Sequence, residues 1–375
     1  MQAIDILQTL VGFDTTSRNS NRDLVAWATE FLESAGARIR LTYDDSGTKA
    51  NVLASFDPPD VAGGILLSGH TDVVPVDGQN WSTDPFTLTV RDGRLHGRGT
   101  TDMKGFIAAC LAEAPRWKGA RLVRPIHLAL TYDEETGCQG VPRLIADLVA
   151  HHALPAVALV GEPTRMRISD EHRGYLAFRT VLHGRAAHSS DPRSGVNAIA
   201  AAAEFVVSLD DAAPSFAGTG PEPTTVSVGT INGGSVINVV PARCEVRWEI
   251  RPTVGADIGP LRQTAKELTE RRARPGIVPE TEEIMTVPPL RPEATKTAVE
   301  IVHRLGGELP TERMPFGTEA GYFQAAGIPT VVCGPGSIEQ AHQPDEWLEV
   351  DQFEAASRLL SQVTHWAELG DRKGE

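Results

Sequence analysis

Long apolar runs are missing from this sequence, and with them the usual signs of a membrane protein. No stretch approaches the roughly 20 consecutive apolar residues that a membrane span needs. The first residues, Met1-Gln-Ala-Ile-Asp-Ile-Leu7, place no basic region ahead of an apolar core, so no signal peptide is read and a cytoplasmic location is expected. Basic charge is also in short supply. Lys and Arg total 35 against 49 for Asp and Glu, a formal net charge of −14, which argues against a sequence-independent grip on nucleic acid and against a polyphosphate partner. A small cationic substrate stays compatible with that charge. The four cysteines, Cys110, Cys138, Cys244 and Cys333, form no CxxC pair, so neither a disulfide framework nor a thiolate zinc site is indicated. No G-x-S-x-G elbow occurs, which leaves a Ser-His-Asp esterase without support. Gly97-Arg-Gly-Thr-Thr-Asp102 has Asp where a dinucleotide-binding loop needs its third glycine, so a nicotinamide cofactor is not expected.

What is present is an ordinary globular chain of 375 residues, 41% hydrophobic, long enough for two or three domains at about 150 residues each. Apolar residues at helical spacing (Ile4, Leu7, Leu10, Val11; then Leu24, Ala28, Phe31, Leu32) predict two N-terminal helices. Short apolar segments at Gly64–Ser68, Ile126–Thr131, Ala156–Val160 and Thr330–Cys333 read as strands buried on both faces of an α/β sheet. A helix is expected just after Asp102, with Phe106, Ile107, Cys110, Leu111 and Ala114 on one face and Asp102 near its N-terminus, where a carboxylate is favoured. Between Arg173 and Ile284 the pattern changes to strand (Tyr175–His183), helix (Val196–Leu209), strand (Val226–Ile231), turn (Asn232–Ser235), strand (Cys244–Ile250), helix (Gly259–Arg272) and a weaker strand (Ile277–Ile284). That order is β-α-β-β-α-β, the split βαβ pattern. The expected organisation is a catalytic α/β domain in two parts, residues 1–172 and 286–375, interrupted by an inserted ferredoxin-like domain at 173–285.

Metal-competent residues follow the apolar strands directly. Leu67-Ser-Gly runs into His70-Thr-Asp72, Leu130-Thr-Tyr into Asp133-Glu-Glu135, Val160-Gly into Glu162, and Cys333-Gly-Pro-Gly336 precedes Ala341-His342. Ligands of open α/β sheets bind outside the carboxyl ends of the strands, so these groups are expected to converge. Buried anions without partners cost several kcal/mol each, and divalent cations would compensate them. His70, Asp102, Glu135, Glu162 and His342 offer nitrogen and oxygen donors without thiolate, a mixture suited to zinc, with cobalt or manganese as rivals. Five ligands suit two metals that share a bridging carboxylate. Taken singly, each residue has a plainer reading: a loop histidine, a helix-capping Asp102, a solvated Glu134-Glu135 pair, a turn acid at Glu162. Spacing alone does not decide which of Glu134 and Glu135 faces a metal. Asp72 is placed to accept the second N–H of the His70 ring.

These motifs resemble the dinuclear zinc deacylases and aminopeptidase-like enzymes that include acetylornithine deacetylase and succinyl-diaminopimelate desuccinylase. The likeness rests on Gly69-His-Thr-Asp-Val-Val-Pro75, Gly97-Arg-Gly-Thr-Thr-Asp-Met-Lys-Gly105, Asp133-Glu-Glu-Thr136, Gly161-Glu-Pro-Thr164, His188-Ser-Ser-Asp-Pro192 and Gly334 through Glu346. It implies two Zn2+ per subunit, with Co2+ able to substitute: Asp102 bridging, His70 and Glu162 on one metal, Glu135 and His342 on the other. It further implies Glu134 as general base toward water, and a cis peptide at Asp102-Met103. By the same resemblance the inserted domain makes a homodimer in which His188 reaches the neighbouring subunit's site. Asn238, Arg251 and, more weakly, Arg173 are implied to hold the substrate α-carboxylate, with Gly317 and Thr318 also at the substrate. Gly317-Thr-Glu-Ala320 points to the acetylornithine branch, although Gly317 stands where many such enzymes have Cys. The expected reaction is hydrolysis of N2-acetyl-L-ornithine to L-ornithine and acetate, in arginine biosynthesis. The alternatives are another N-acyl amino acid such as N-acetylcitrulline or succinyl-diaminopimelate, a dipeptide, or a non-catalytic metal-binding module.

Overall fold

The computed structural model describes residues 2–56, 63–151, 154–212, 223–253, 258–271, 274–314 and 316–369. The chain divides into two compact units: Met1–Glu171 with Arg291–Met314 and Thr318–Glu375, and His172–Leu290 with Pro315–Gly317.

In the first unit an eight-stranded mixed sheet runs in the order Arg38–Tyr43, Ala50–Phe56, Ile126–Thr131, Ile65–His70, Val157–Val160, Thr330–Val332, Arg167–His172, Glu308–Met314. Its four central strands are parallel to one another, and every residue in them is buried. These are the apolar runs legible in the sequence, covered on both faces as parallel strands usually are. The flanking strand Arg38–Tyr43 is antiparallel and half-exposed, so its residues carry no apolar signal. The predicted N-terminal helices are Ala3–Val11 and Arg22–Ser34.

The helix expected after Asp102 is Gly105–Gly119. It buries Ala108 and Ala109 as well as the predicted face, because it packs between the sheet, the N-terminal helix and the C-terminal helix Val350–Leu369. Small residues let it sit that deep. Asp102 is not its cap. With φ −122° and ψ 92° it lies in the non-helical turn Thr100–Lys104 ahead of the helix, and its peptide bond to Met103 is cis. A small antiparallel sheet of Thr89–Arg91, Arg94–His96 and Trp347–Glu349 flanks this turn.

The second unit is the β-α-β-β-α-β arrangement. Its antiparallel sheet has the order Thr225–Gly233, Arg243–Arg251, Tyr175–His183, Val278–Val287, with helices Ala198–Ala212 and Ile258–Arg271. The last residue of the second predicted helix, Arg272, lies outside the described residues. Trp248 centres the core: it stacks on Phe178 at 4.6 Å and meets Phe205 edge-on at 5.9 Å. Its indole N–H donates to Thr180 Oγ1 at 3.0 Å, which satisfies the polar end of a buried ring.

Two details differ from expectation. The predicted turn at Asn232 begins later, since Asn232 and Gly233 still pair with Glu245 and Cys244. The last strand extends to Val287, paired with Tyr175, and His172 bridges Leu290. Residues 286–290 therefore group with the second unit, because the ladder begun at Tyr175 continues past the predicted strand end.

Candidate metal centre

The strand ends of the first unit assemble two groups of metal-competent atoms, His70/Asp102/Glu162 and Asp102/Glu135/His342, each with its ligand atoms within 4.8 Å of one another. His70 ends the strand Ile65–His70 and Glu162 follows Val157–Val160. Gly161 permits that exit, because a Cβ there would lie 2.1 Å from the Phe106 ring. His70 Nε2 is 2.9 Å from Asp102 Oδ1 and 3.8 Å from Glu162 Oε1. His342 Nε2 is 3.2 Å from the other Asp102 oxygen, Oδ2, and 3.0 Å from Glu135 Oε2. Asp102 thus presents one oxygen to each group, as a bridging carboxylate would.

Asp72 braces the site in a way the sequence did not show. The nearer acceptor for His70 Nδ1 is the Asp72 carbonyl at 2.9 Å, with the carboxylate Oδ1 at 3.6 Å. Two backbone N–H groups occupy the Asp72 carboxylate: Glu134 donates to Oδ1 at 3.0 Å and Glu135 to Oδ2 at 3.2 Å. Ser17 Oγ also donates, at 2.7 Å. One acid therefore orients the His70 ring through its main chain and the two glutamates through its side chain. Among the residues to which sequence assigned no role, Cys138 donates its thiol to Glu134 Oε1 at 3.5 Å. Lys49 pairs with Asp133. Glu319 is 1% exposed and accepts from Ser68 Oγ at 3.1 Å. Their signals were a lone polar letter inside an apolar or loop context, which spacing cannot distinguish from a surface residue.

The electrostatics test whether cations fit. Burial disfavours charge on His70, yet hydrogen bonds to Asp102 and Asp72 outweigh it and hold the imidazole well above its ordinary range. The Asp102 and Glu135 carboxylates raise His342 to about 10, against an opposing effect of burial. Burial, then repulsion from Asp102, raises Glu135 to about 7, and the same two causes drive Glu162 well above the usual carboxylate range. Glu134 is raised chiefly by burial, with His70 opposing and Glu135 adding. Burial puts Glu319 at about 7. Asp102 goes down despite burial, because both histidines hydrogen-bond to it. Burial and mutual repulsion thus favour protons on Glu134, Glu135 and Glu162, while the acids favour protons on both histidines. Nitrogen and oxygen donors arranged around one shared carboxylate fit divalent cations in place of those protons.

The remaining sequence candidates lie in or beside the second unit. His188 and Asn238 are exposed and adjacent: His188 bridges Val239, and Ser189 N–H donates to the Asn238 carbonyl at 3.0 Å. The His188 ring contacts Ser190 Oγ at 2.8 Å. Arg251 pairs with Glu249 at 3.0 Å and lies over the Tyr175 ring at 4.1 Å. The Arg173 guanidinium donates to the carbonyls of Pro223, Arg251 and Pro252 at 2.8–3.2 Å. Gly317 sits close to Val287, where a Cβ would meet Cγ1 at 3.0 Å. Thr318 is buried, and its hydroxyl accepts from Ala320 N–H at 3.1 Å.

Known proteins share this architecture. A tripeptidase from Staphylococcus aureus superposes with a TM-score of 0.74 at 20% identity, covering 98% of both chains. An M20 family metallo-carboxypeptidase from Sulfolobus solfataricus gives 0.74 at 17% identity, covering 98% of this chain and 99% of the other. A dinuclear metal-binding M20 peptidase from Bacillus subtilis gives 0.70 at 17%, covering 96% of each. The sequence profile of peptidase family M20/M25/M40 matches residues 66–365, a span that begins just before His70 and closes after His342. With that match and these two ligand groups, the chain belongs to peptidase family M20/M25/M40 and is a metal-dependent hydrolase.

Proposed function

We propose that this protein is a two-zinc amidohydrolase that removes the acetyl group from N2-acetyl-L-ornithine. The observation that carries the amide-hydrolysis reading is Asp102, which offers one oxygen to each ligand group while Glu134 stands beside Glu135 on the same Asp72-braced turn. His70, Asp102, Glu162, Glu135 and His342 would hold the cations. When bound, such a pair supplies Lewis acidity at the amide carbonyl and an acidified water. Glu134 takes the proton from that water as its oxygen bonds to the carbonyl carbon. The C–N bond then breaks, and Glu134 passes the proton to the departing amine, which leaves acetate and ornithine. Burial supports this role by raising Glu134 well above the usual carboxylate range, which makes its carboxylate a stronger base toward a water proton.

The acetylornithine assignment rests on Gly317-Thr-Glu-Ala320 and on a net charge of −14 that suits a cationic amino acid. Arg251 and Asn238 are assigned to the substrate α-carboxylate and His188 to the oxyanion, each from resemblance. A homodimer through the second unit is supported by the exposed edge strand Thr225–Gly233 and by exposed Ile199, Ile231, Val236 and Ile237. A cytoplasmic setting fits the four unpaired cysteines. Dipeptide hydrolysis is the second reading, favoured by the tripeptidase and carboxypeptidase among the similar structures.

The test is acetate release from N-acetylornithine, N-acetylcitrulline and N-acetylmethionine, run beside succinyl-diaminopimelate and a dipeptide panel with added zinc or cobalt. Dominant N-acetylornithine turnover supports the assignment, and dominant dipeptide turnover replaces it with the second reading. Turnover retained by fully metal-free protein would overturn both. Glu134→Gln is expected to lower kcat by about 10²–10⁴-fold with metal content unchanged.

A further inference from the structure

We propose that Glu346 is a positioning residue that clamps Asp102 and His342, two ligands of the same cation, into register through Arg98 and Gln79. The inference rests on the two-metal reading of the centre.

Glu346 is 1% exposed, and its carboxylate is saturated with donors. Oε2 accepts from Arg98 Nη1 at 2.7 Å and from Gly99 N–H at 2.9 Å. Oε1 accepts from Thr101 N–H at 2.9 Å and from Asp102 N–H at 3.1 Å. The Glu346 carbonyl takes Gly97 N–H at 3.0 Å, so this one residue holds four of the six amides from Gly97 to Asp102. That segment is an irregular loop with Gly99 at φ +82°, and buried N–H groups there have no regular ladder to join. A carboxylate is the group that can take several of them at once. The strand pair Arg94–His96 and Trp347–Glu349 sets Glu346 opposite the loop.

The other end of the clamp reaches His342. Arg98, also 1% exposed, donates Nη2 to Gln79 Oε1 at 2.6 Å, and Gln79 Nε2 donates to the His342 carbonyl at 3.0 Å. His342 sits at φ +62°, a left-handed conformation unfavourable for a residue with a side chain. An outside hydrogen bond to its main chain is what such a position requires. A continuous path of polar contacts thus runs from the Asp102 amide to the His342 carbonyl, through a buried, charge-compensated pair. His70 and Glu162 need no such device, since buried parallel strands deliver them. The clamp therefore acts chiefly on the Asp102/Glu135/His342 group.

Metal-stripped wild type, Glu346→Gln and Gln79→Ala would be titrated with Co2+, read by its visible absorption, and with Zn2+ against a chromogenic chelator, alongside thermal melts of the metal-free proteins. Wild type is expected to bind two cations. In Glu346→Gln one of the two cations is expected to lose about 10–100-fold in affinity, with a smaller loss at the other. Gln79 is only half-buried, so Gln79→Ala is expected to fold, with a metal-free melt lowered modestly by the Arg98 donor left unpaired, and to weaken the same cation to a lesser degree. It carries the test should Glu346→Gln fail to fold. Two cations of wild-type affinity in every folded variant, or equal weakening of both, would overturn the clamp alone. Uptake of a single cation by wild type would overturn the two-metal reading and the clamp with it.

Discussion

Burial and close neighbours shift the titration of the clustered donors toward their protonated forms, which predicts a measurable pH dependence. His342 is raised to about 10 and Glu135 to about 7, so at pH 7 the imidazole keeps its proton and the carboxyl is partly protonated. A cation needs the neutral imidazole and the carboxylate, so binding must expel those protons. Metal affinity should consequently rise as pH goes from 6 toward 9, and more than one proton should be released per chain at pH 7. Calorimetric zinc titrations in two buffers of different ionisation enthalpy measure the release directly. An affinity independent of pH would contradict this account. The roles of single residues were only partly legible in sequence. The five donors stood out because each follows an apolar run or a glycine loop. Gln79 did not, and Glu346 and Glu319 were given no role although they lie inside the family-like motifs, since nothing in their neighbours tells a buried anchor from a surface acid or amide.

Elements matter here through how closely they approach. The helix Gly105–Gly119 lies so near the sheet that Gly161 has no room for a methyl group: an added Cβ would be 2.1 Å from the Phe106 ring. Gly161→Ala should therefore overpack this contact and destabilise the first unit by about 1–3 kcal/mol. Because Glu162 is the next residue, metal content should fall as well. Adding Phe106→Leu should recover part of both losses, which thermal melts and metal analysis of the single and double variants would show. If Gly161→Ala alone keeps wild-type stability and metal, the close approach is not limiting. The four central strands, the two N-terminal helices and the βαββαβ order were readable from periodicity, since burial on one or both faces writes itself into the apolar pattern. The strand Arg38–Tyr43 and the small sheet beside Gly97 were not, because short or half-exposed strands need few apolar residues.

At the scale of the whole chain, each unit has its own buried core, and the described ligand groups belong to the first unit. Zinc should therefore stabilise one unit selectively. At free zinc 100 times the dissociation constant, linkage contributes about 2.7 kcal/mol, which for a unit of this size corresponds to a rise of roughly 5–10 °C in Tm. Scanning calorimetry with and without chelator should show a transition that moves with metal and one that does not. Two transitions that both ignore zinc would sink the assignment of the metal to this unit.

Some of this protein was legible in sequence alone: the α/β class, the split-βαβ pattern, and the candidate donors His70, Asp102, Glu162, His342 and the Glu134-Glu135 pair, from which only the family resemblance chose Glu135. Both kinds of information are local, one carried by apolar period and the other by donor chemistry at strand ends. Tertiary structure decided what depends on residues far apart in the chain. Asp102 acquires its two-sided position because Glu346, 244 residues later, holds its amide. Asp72 braces Glu134 and Glu135 across more than 60 residues. Three carbonyls converge on the Arg173 guanidinium. A hydrogen bond has direction and a short reach, and only the folded chain brings those distant partners within it.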